Sequence, residues 1–324
     1  VTEFLVSQPW LPTRQPKARV FHYTSAAGLL GILMDSELRA TEAAALNDRS
    51  EIAKGWRIVH RWLESLPDVV ETDDLRTSLE PSSYFRDATS PSGTFVLCAS
   101  EEGDDANQWR LYGDNGRGYA IELDSTVPLA VVSDQERRPQ TVPDGRVVSF
   151  HTLEDASTVS PWTKVLYRKR HARTALDELR EWAAPRLAHA QEAPWSPEDP
   201  SLRQGAEAFA YSDVEMGLST IASSYKVRGF SGENEARVFV TFTLGDRHAL
   251  YRPSPAGVVR YLRLAVSDGA PAMFKGTEHG RLPIKSVRLG PAIDRKAGRL
   301  TVESLLRRAG YENVKVAASK VRLR

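Results

Sequence analysis

The sequence predicts an α+β fold, a mixed sheet with helical insertions, on three observations. Strand-like runs occur near both ends of the chain, two long helical patterns lie between them, and no regular strand–helix–strand alternation with a glycine fingerprint is present. A doubly wound parallel sheet needs that alternation; a mixed sheet does not. We expect an N-terminal arm over residues 1–18, then a single α+β domain over 19–324 with a helical insertion at about 169–227.

The arm carries Pro9, Pro12 and Pro16, which block regular pairing and suggest a segment lying on the surface. Arg19-Val20-Phe21-His22-Tyr23 has strand composition. Thr24 or Ser25 can cap a following helix whose Leu29, Leu30, Ile32 and Leu33 form one stripe. A second helix, roughly 48–66, has Ile52, Trp56, Val59 and Leu63 at helical spacing, starts at Asn47 or Asp48, and stops before Pro67. Strands are expected at 94–99, 118–123, 147–150 and 163–167, with a short helix from Asp104 and a turn at Asn115-Gly116-Arg117-Gly118. Helices follow at about 169–189 and 202–227, separated by a proline-rich loop at 194–200. The tail returns to strands at 235–243, 258–264, 284–289 and 314–316, with a helix at 302–308.

Lysine and arginine total 43 against 42 acidic residues, a net charge of +1, so the composition gives no global reason to expect nucleic acid or an anionic membrane as partner. No apolar stretch approaches the ~20 residues that span a bilayer. The N-terminus lacks the pattern of an export signal. The lone Cys98, inside Phe95-Val96-Leu97-Cys98, cannot form an internal disulfide and reads as a buried small hydrophobe. These features together predict a cytoplasmic protein.

The histidines, at 22, 60, 151, 171, 189, 248 and 279, show no HExxH or HxH spacing, and no CxxC exists, so no metal site is expected. Neither a GxSxG elbow nor a GxxxxGK[ST] loop is present. Three polar clusters remain. In His22-Tyr23-Thr24-Ser25 a histidine at the end of a strand can face a cleft while the next helix offers free N–H groups, although a histidine beside a helix cap is more often incidental. In Gln108-Trp109-Arg110-Leu111-Tyr112-Gly113 the two rings are three residues apart and could stack on a planar group or simply close the core. In Glu233-Asn234-Glu235-Ala236-Arg237 both carboxylates and Arg237 share one face of a strand, either as a proton-sharing pair or as a structural ion-pair cluster. The basic run Lys164, Arg168, Lys169, Arg170, His171 and Arg173 could contact phosphates but reads first as a solvated face.

Read in order, Phe21-His22-Tyr23-Thr24-Ser25, Leu46-Asn47-Asp48 with Glu51, Cys98-Ala99-Ser100-Glu101 before Trp109 and Tyr112, Lys164-Val165-Leu166-Tyr167, Lys226 before Glu233 to Arg237, and Val287-Arg288-Leu289-Gly290-Pro291 resemble the bacterial domain of unknown function 2971 family (DUF2971). The resemblance spans about 19–322. More distantly, a strand ending in histidine and a hydroxyl residue, a central aromatic and a late glutamate resemble the ADP-ribosyltransferase superfamily. That likeness implies a mostly antiparallel, split sheet. It also implies NAD as substrate, without a metal, in an ADP-ribosyltransferase or NAD glycohydrolase of bacterial conflict or phage defence. His22, Tyr23, Thr24 and Ser25 would anchor NAD, Trp109 or Tyr112 would stack on the nicotinamide, Arg237 would line the site, and Glu235 or Glu233 would be catalytic with His22. The acceptor would be a protein or a nucleic acid, with no membrane involved. The alternative is a non-enzymatic ligand-sensing or interaction protein that keeps the pocket. A Mg2+-dependent phosphoryl-transfer enzyme is disfavoured, because no set of acidic ligands from several strands is evident.

Overall fold

The computed structural model describes residues 10, 14–45, 50–67, 94–132, 140–141, 147–148, 157–192, 200–242, 248–254, 257–266 and 280–322. The chain forms two compact units. One comprises Val1–Arg14, Glu42–Thr94 and Val165–Phe230; the other comprises Gln15–Thr41, Phe95–Lys164 and Ser231–Arg324.

Among the described residues the first unit is helical, with α2 (Ser50–Glu64), α4 (Lys169–Glu192) and α5 (Pro200–Ser224). They bury Val59, Trp62, Leu176, Leu179 and Leu218 in a common core. Trp10, within the segment expected to lie on the surface, is buried in this cluster. An indole large enough to remove ~200 Å² of surface from water outweighs the flanking prolines. Gly55 of α2 lies against α5 so closely that a Cβ there would meet the carbonyl oxygen of Ala222 at 1.9 Å. Glu51 and Lys226 form a buried pair at 3.3 Å, and Trp62 Nε1 donates to Asp177 at 2.8 Å.

The second unit holds a 12-stranded open sheet, mostly antiparallel, so the molecule is a mixed α and β protein. Its strands are β1 (Arg19–Thr24), β2 (Leu38–Glu42), β3 (Thr94–Ser100), β4 (Tyr119–Asp124), β5 (Leu129–Val131), β8 (Ser157–Val159), β9 (Thr163–Lys164), β10 (Glu235–Phe242), β11 (Leu250–Ser254), β12 (Gly257–Val266), β13 (Ile284–Leu289) and β14 (Lys315–Ala318). The main order is β11-β12-β2-β3-β1-β4-β13-β14, with β10 pairing β3, β8 and β9. A separate small ladder joins β6 (Gln140–Thr141) and β7 (Val147–Val148). The pair β13–β14 is parallel. It is bridged by α6 (Arg295–Arg308), as a parallel pair requires a crossover. Helix α1 (Ala26–Asp35) contributes Leu29, Ile32 and Leu33 to the main core, beside Val20, Ile121, Leu262 and Val287.

Several boundaries differ from expectation. Helix α6 begins at Arg295 rather than Val302, because Asp294 caps it by accepting from Ala297 N at 2.7 Å. The seven added residues, 295–301, carry no apolar stripe for periodicity to reveal. The strand expected at 163–167 stops at Lys164, and Leu166 forms only an isolated bridge to Tyr225. No strand is expected from the sequence at β2, β5, β6, β8 or β11. Strand β11 contains Pro253, which a sheet edge tolerates. Asn47, Asp48, the loop at 194–199, His151 and His279 lie outside the described residues.

Candidate functional site

Strand β1 carries the first cluster. Its register with β4 sets Val20 beside Leu123, His22 beside Ile121 and Thr24 beside Tyr119. Period two therefore puts Val20, His22 and Thr24 on one face and Phe21 and Tyr23 on the other. The His22 face continues into the main core through Val20, Ile121 and Leu123, with half-buried Tyr119 packed against it.

His22 is fixed by strand β3. The registered contact between β1 and β3 is the pair Phe21↔Ser100. Nδ1 of His22 lies 2.9 Å from the carbonyl oxygen of Cys98. A carbonyl only accepts, so Nδ1 carries the proton and Nε2 of the neutral ring keeps a lone pair for an incoming hydroxyl or N–H. Burial pushes the imidazole below its ordinary value of 6.5, and the hydrogen bond to Cys98 only partly opposes this. The ring is held neutral.

At the end of β1 the chain turns directly into α1. Ser25 is extended and accepts from Gly28 N at 3.2 Å, so it is the helix cap. Thr24 sits beside a tight loop. Gly113 to Gly118 passes through left-handed conformations at Asp114 (φ 49°), Asn115 (φ 51°) and Gly116 (φ 85°). A Cβ on Gly118 would meet Thr24 O at 2.2 Å. The loop is tied to the end of β13 by Gly290 N to Gly118 O at 2.9 Å and Ala292 N to Gly116 O at 3.0 Å.

The late glutamates attach to the same end of β3. Ser100 Oγ donates to Glu233 O at 2.7 Å, and Gln108 Nε2 donates to the same oxygen at 3.2 Å. Glu101 N donates to Asn234 O at 2.8 Å. Asn234 is left-handed (φ 44°), so the chain turns sharply between the two glutamates. Thus Cys98 to Glu101 holds His22 and the Glu233–Asn234 peptide within four residues of backbone. Glu233 and Glu235 are both buried. Glu235 is gripped by Arg237, whose Nε and Nη2 donate to its two oxygens at 2.7 and 3.0 Å.

The aromatics divide. Trp109 is fully buried, packs edge-on against Tyr23 with centroids 4.8 Å apart, and donates from Nε1 to Asp104 at 2.9 Å. Tyr23 donates to Glu102 O at 2.8 Å and accepts from Asp105 N at 3.2 Å. Burial raises its pKa. Both rings are committed to packing, while Tyr112, at the end of α3 (Ala106–Leu111), is exposed. Asp104 is the hub of this side. Burial opposes its ionisation but is outweighed by hydrogen bonds from Ser319 Oγ, Lys320 N and Trp109, and by the charge of Arg288, so its carboxyl titrates below the ordinary value.

Sequence reasoning missed Tyr119, Asp104 and the Cys98 carbonyl. Tyr119 heads an alternating run after Gly118, but only the β1–β4 register sets it beside Thr24. In the basic run, Lys164 pairs with Glu101 at 3.1 Å, whereas Arg168, Lys169 and Arg170 are exposed at the start of α4. Among the described residues no group of three or more His, Cys, Asp or Glu is placed to hold a metal ion. No helix among them is long and apolar enough to cross a membrane.

The model of a family described as protein of unknown function (DUF2971) matches residues 108–238, less than half of the chain, and supports the family expected from the sequence. The match contains Trp109, Tyr112, Glu233, Glu235 and Arg237 but begins well after His22. No curated protein and no solved structure matches the chain.

Proposed function

We propose that the protein is an NAD-dependent ADP-ribosyltransferase or NAD glycohydrolase. The observation that carries this reading is the shared anchorage of His22 and the Glu233–Asn234 peptide on the end of β3. A neutral imidazole with Nδ1 protonated offers Nε2 as acceptor to a ribose hydroxyl, and the Thr24 hydroxyl lies on the same face two residues on. Departure of nicotinamide leaves an oxocarbenium-like sugar that a nearby ionised carboxylate stabilises. In this reading Glu235 or Glu233 supplies it, Tyr112 rather than Trp109 stacks on the nicotinamide, and Ser25 and Tyr23 support the turn rather than touch the ligand. The acceptor is a protein or nucleic acid nucleophile in the transferase form and water in the hydrolase form.

One observation favours the second reading, a ligand-sensing protein without turnover: Arg237 already engages both oxygens of Glu235. Following nicotinamide release from NAD separates the two. The transferase reading expects release by the wild type, its loss in Glu235→Gln or Glu233→Gln, and a fall of at least about a hundredfold in His22→Ala. Binding of NAD without release supports the sensor, and full activity in both glutamate variants overturns the proposed chemistry.

A further inference from the structure

Two arginines of the large sheet stand together without an acid. Arg39 lies on β2 and Arg252 on the edge strand β11, the two strands that flank β12. Leu38 and Ala40 are wholly buried in the main core, so alternation turns Arg39 and Thr41 to the opposite face. The registers set Tyr261 beside Thr41, Arg263 beside Arg39, and Arg252 beside Val259. All six side chains therefore share one face.

On that face Arg252 donates from Nη2 to Thr41 Oγ1 at 3.0 Å. The Arg39 guanidinium carbon lies 5.2 Å from the centroid of the Tyr261 ring. Arg263 is paired with Glu37 at 3.4 Å. Among the described residues no carboxylate pairs with Arg39 or Arg252, and Nε of Arg252 is buried without a hydrogen-bond partner. Burial and the charge of Arg39 both act against the charge on Arg252. Two like charges fixed on the strands either side of β12, that of Arg252 partly desolvated, disfavour the unliganded fold, and an anion between them relieves that cost. The Thr41 hydroxyl accepts from Arg252 and retains its own proton to donate.

We propose that Arg39, Arg252 and Thr41 form a binding site for the phosphate end of a small ligand, a phosphomonoester or a diphosphate. Two guanidinium forks match a dianion with several acceptor oxygens; a single carboxylate would leave one positive charge unanswered. A nucleic acid strand would instead need a row of unpaired cations, and the next arginine along, Arg263, is already neutralised. This site is independent of the reading of the His22 face.

Inorganic pyrophosphate, titrated calorimetrically into the full chain at low salt, tests the proposal, with ADP and a short single-stranded oligonucleotide as parallel ligands. Saturable binding of pyrophosphate and ADP is expected, weakened about tenfold or more in Arg252→Gln and in Arg39→Gln. Arg299→Gln, on exposed α6, serves as control and should bind as the wild type does. Arg39 is exposed, so its variant remains informative if Arg252→Gln folds poorly. Equal binding by all variants, or no binding by the wild type, overturns the site. Oligonucleotide binding that is sensitive to both arginines but not displaced by pyrophosphate overturns the assignment to a compact phosphate.

Discussion

Nδ1 of His22 lies 2.9 Å from the carbonyl oxygen of Cys98, a contact that joins β1 to β3 through a side chain. It fixes the tautomer, and burial holds the ring neutral. Nitrogen NMR of His22 should therefore show a proton on Nδ1 and a titration midpoint below 6.5. The folded protein stays neutral at His22 to a lower pH than the unfolded chain does. The stability associated with the neutral ring is thus complete above about pH 6.5 and is lost as pH falls through the folded value. Urea unfolding of wild type and His22→Gln should show the wild-type advantage shrinking as pH falls below about 6.5. A constant difference would remove the case for a neutral, buried imidazole.

The Glu235–Arg237 pair should be costly to break from one side. Arg237→Met removes two charge-assisted hydrogen bonds from a buried carboxylate and is expected to lower unfolding free energy by about 3–5 kcal/mol. Adding Glu235→Gln should restore part of the loss, because the buried negative charge is gone. Denaturant midpoints of the two single variants and the double variant measure this coupling directly.

Asp104 connects α3, β13 and the chain after β14 through Trp109, Arg288, Ser319 and Lys320. Because the carboxylate is partly exposed, Asp104→Asn should cost only about 1–2 kcal/mol at neutral pH. Its folded pKa lies below the ordinary 3.8, so its stabilisation is present above that value and is lost as pH falls through the folded one. The stabilities of wild type and variant should converge in acid; a gap that persists at low pH would mean that Asp104 acts through packing alone.

In the helical unit, Gly55→Ala should destabilise by about 3 kcal/mol, since the added methyl would overlap the Ala222 carbonyl. Gly229→Ala, with nothing within 4 Å of its Cβ position, is the control and should change stability little. Thermal melts that rank the two equally would contradict the close crossing of α2 and α5.

The sequence by itself determined the local elements: β1 and its turn into α1, the short helix with Trp109, the two long helices and the strand at Glu235 all follow from periodicity, caps and proline positions. It also nominated His22 and the glutamates, because polar residues at strand ends stand out against an apolar pattern. Only the tertiary structure decided which of the named side chains are buried and which are exposed. Trp109 and Tyr112 are equivalent by spacing, yet one is sealed against Tyr23 and the other is exposed. The arginines at 39 and 252 are separated by more than two hundred residues and carry no motif. The reason is common to both cases. Strand register over long sequence separations sets which residues share a face, and register depends on the summed packing of the whole sheet rather than on any window of the chain.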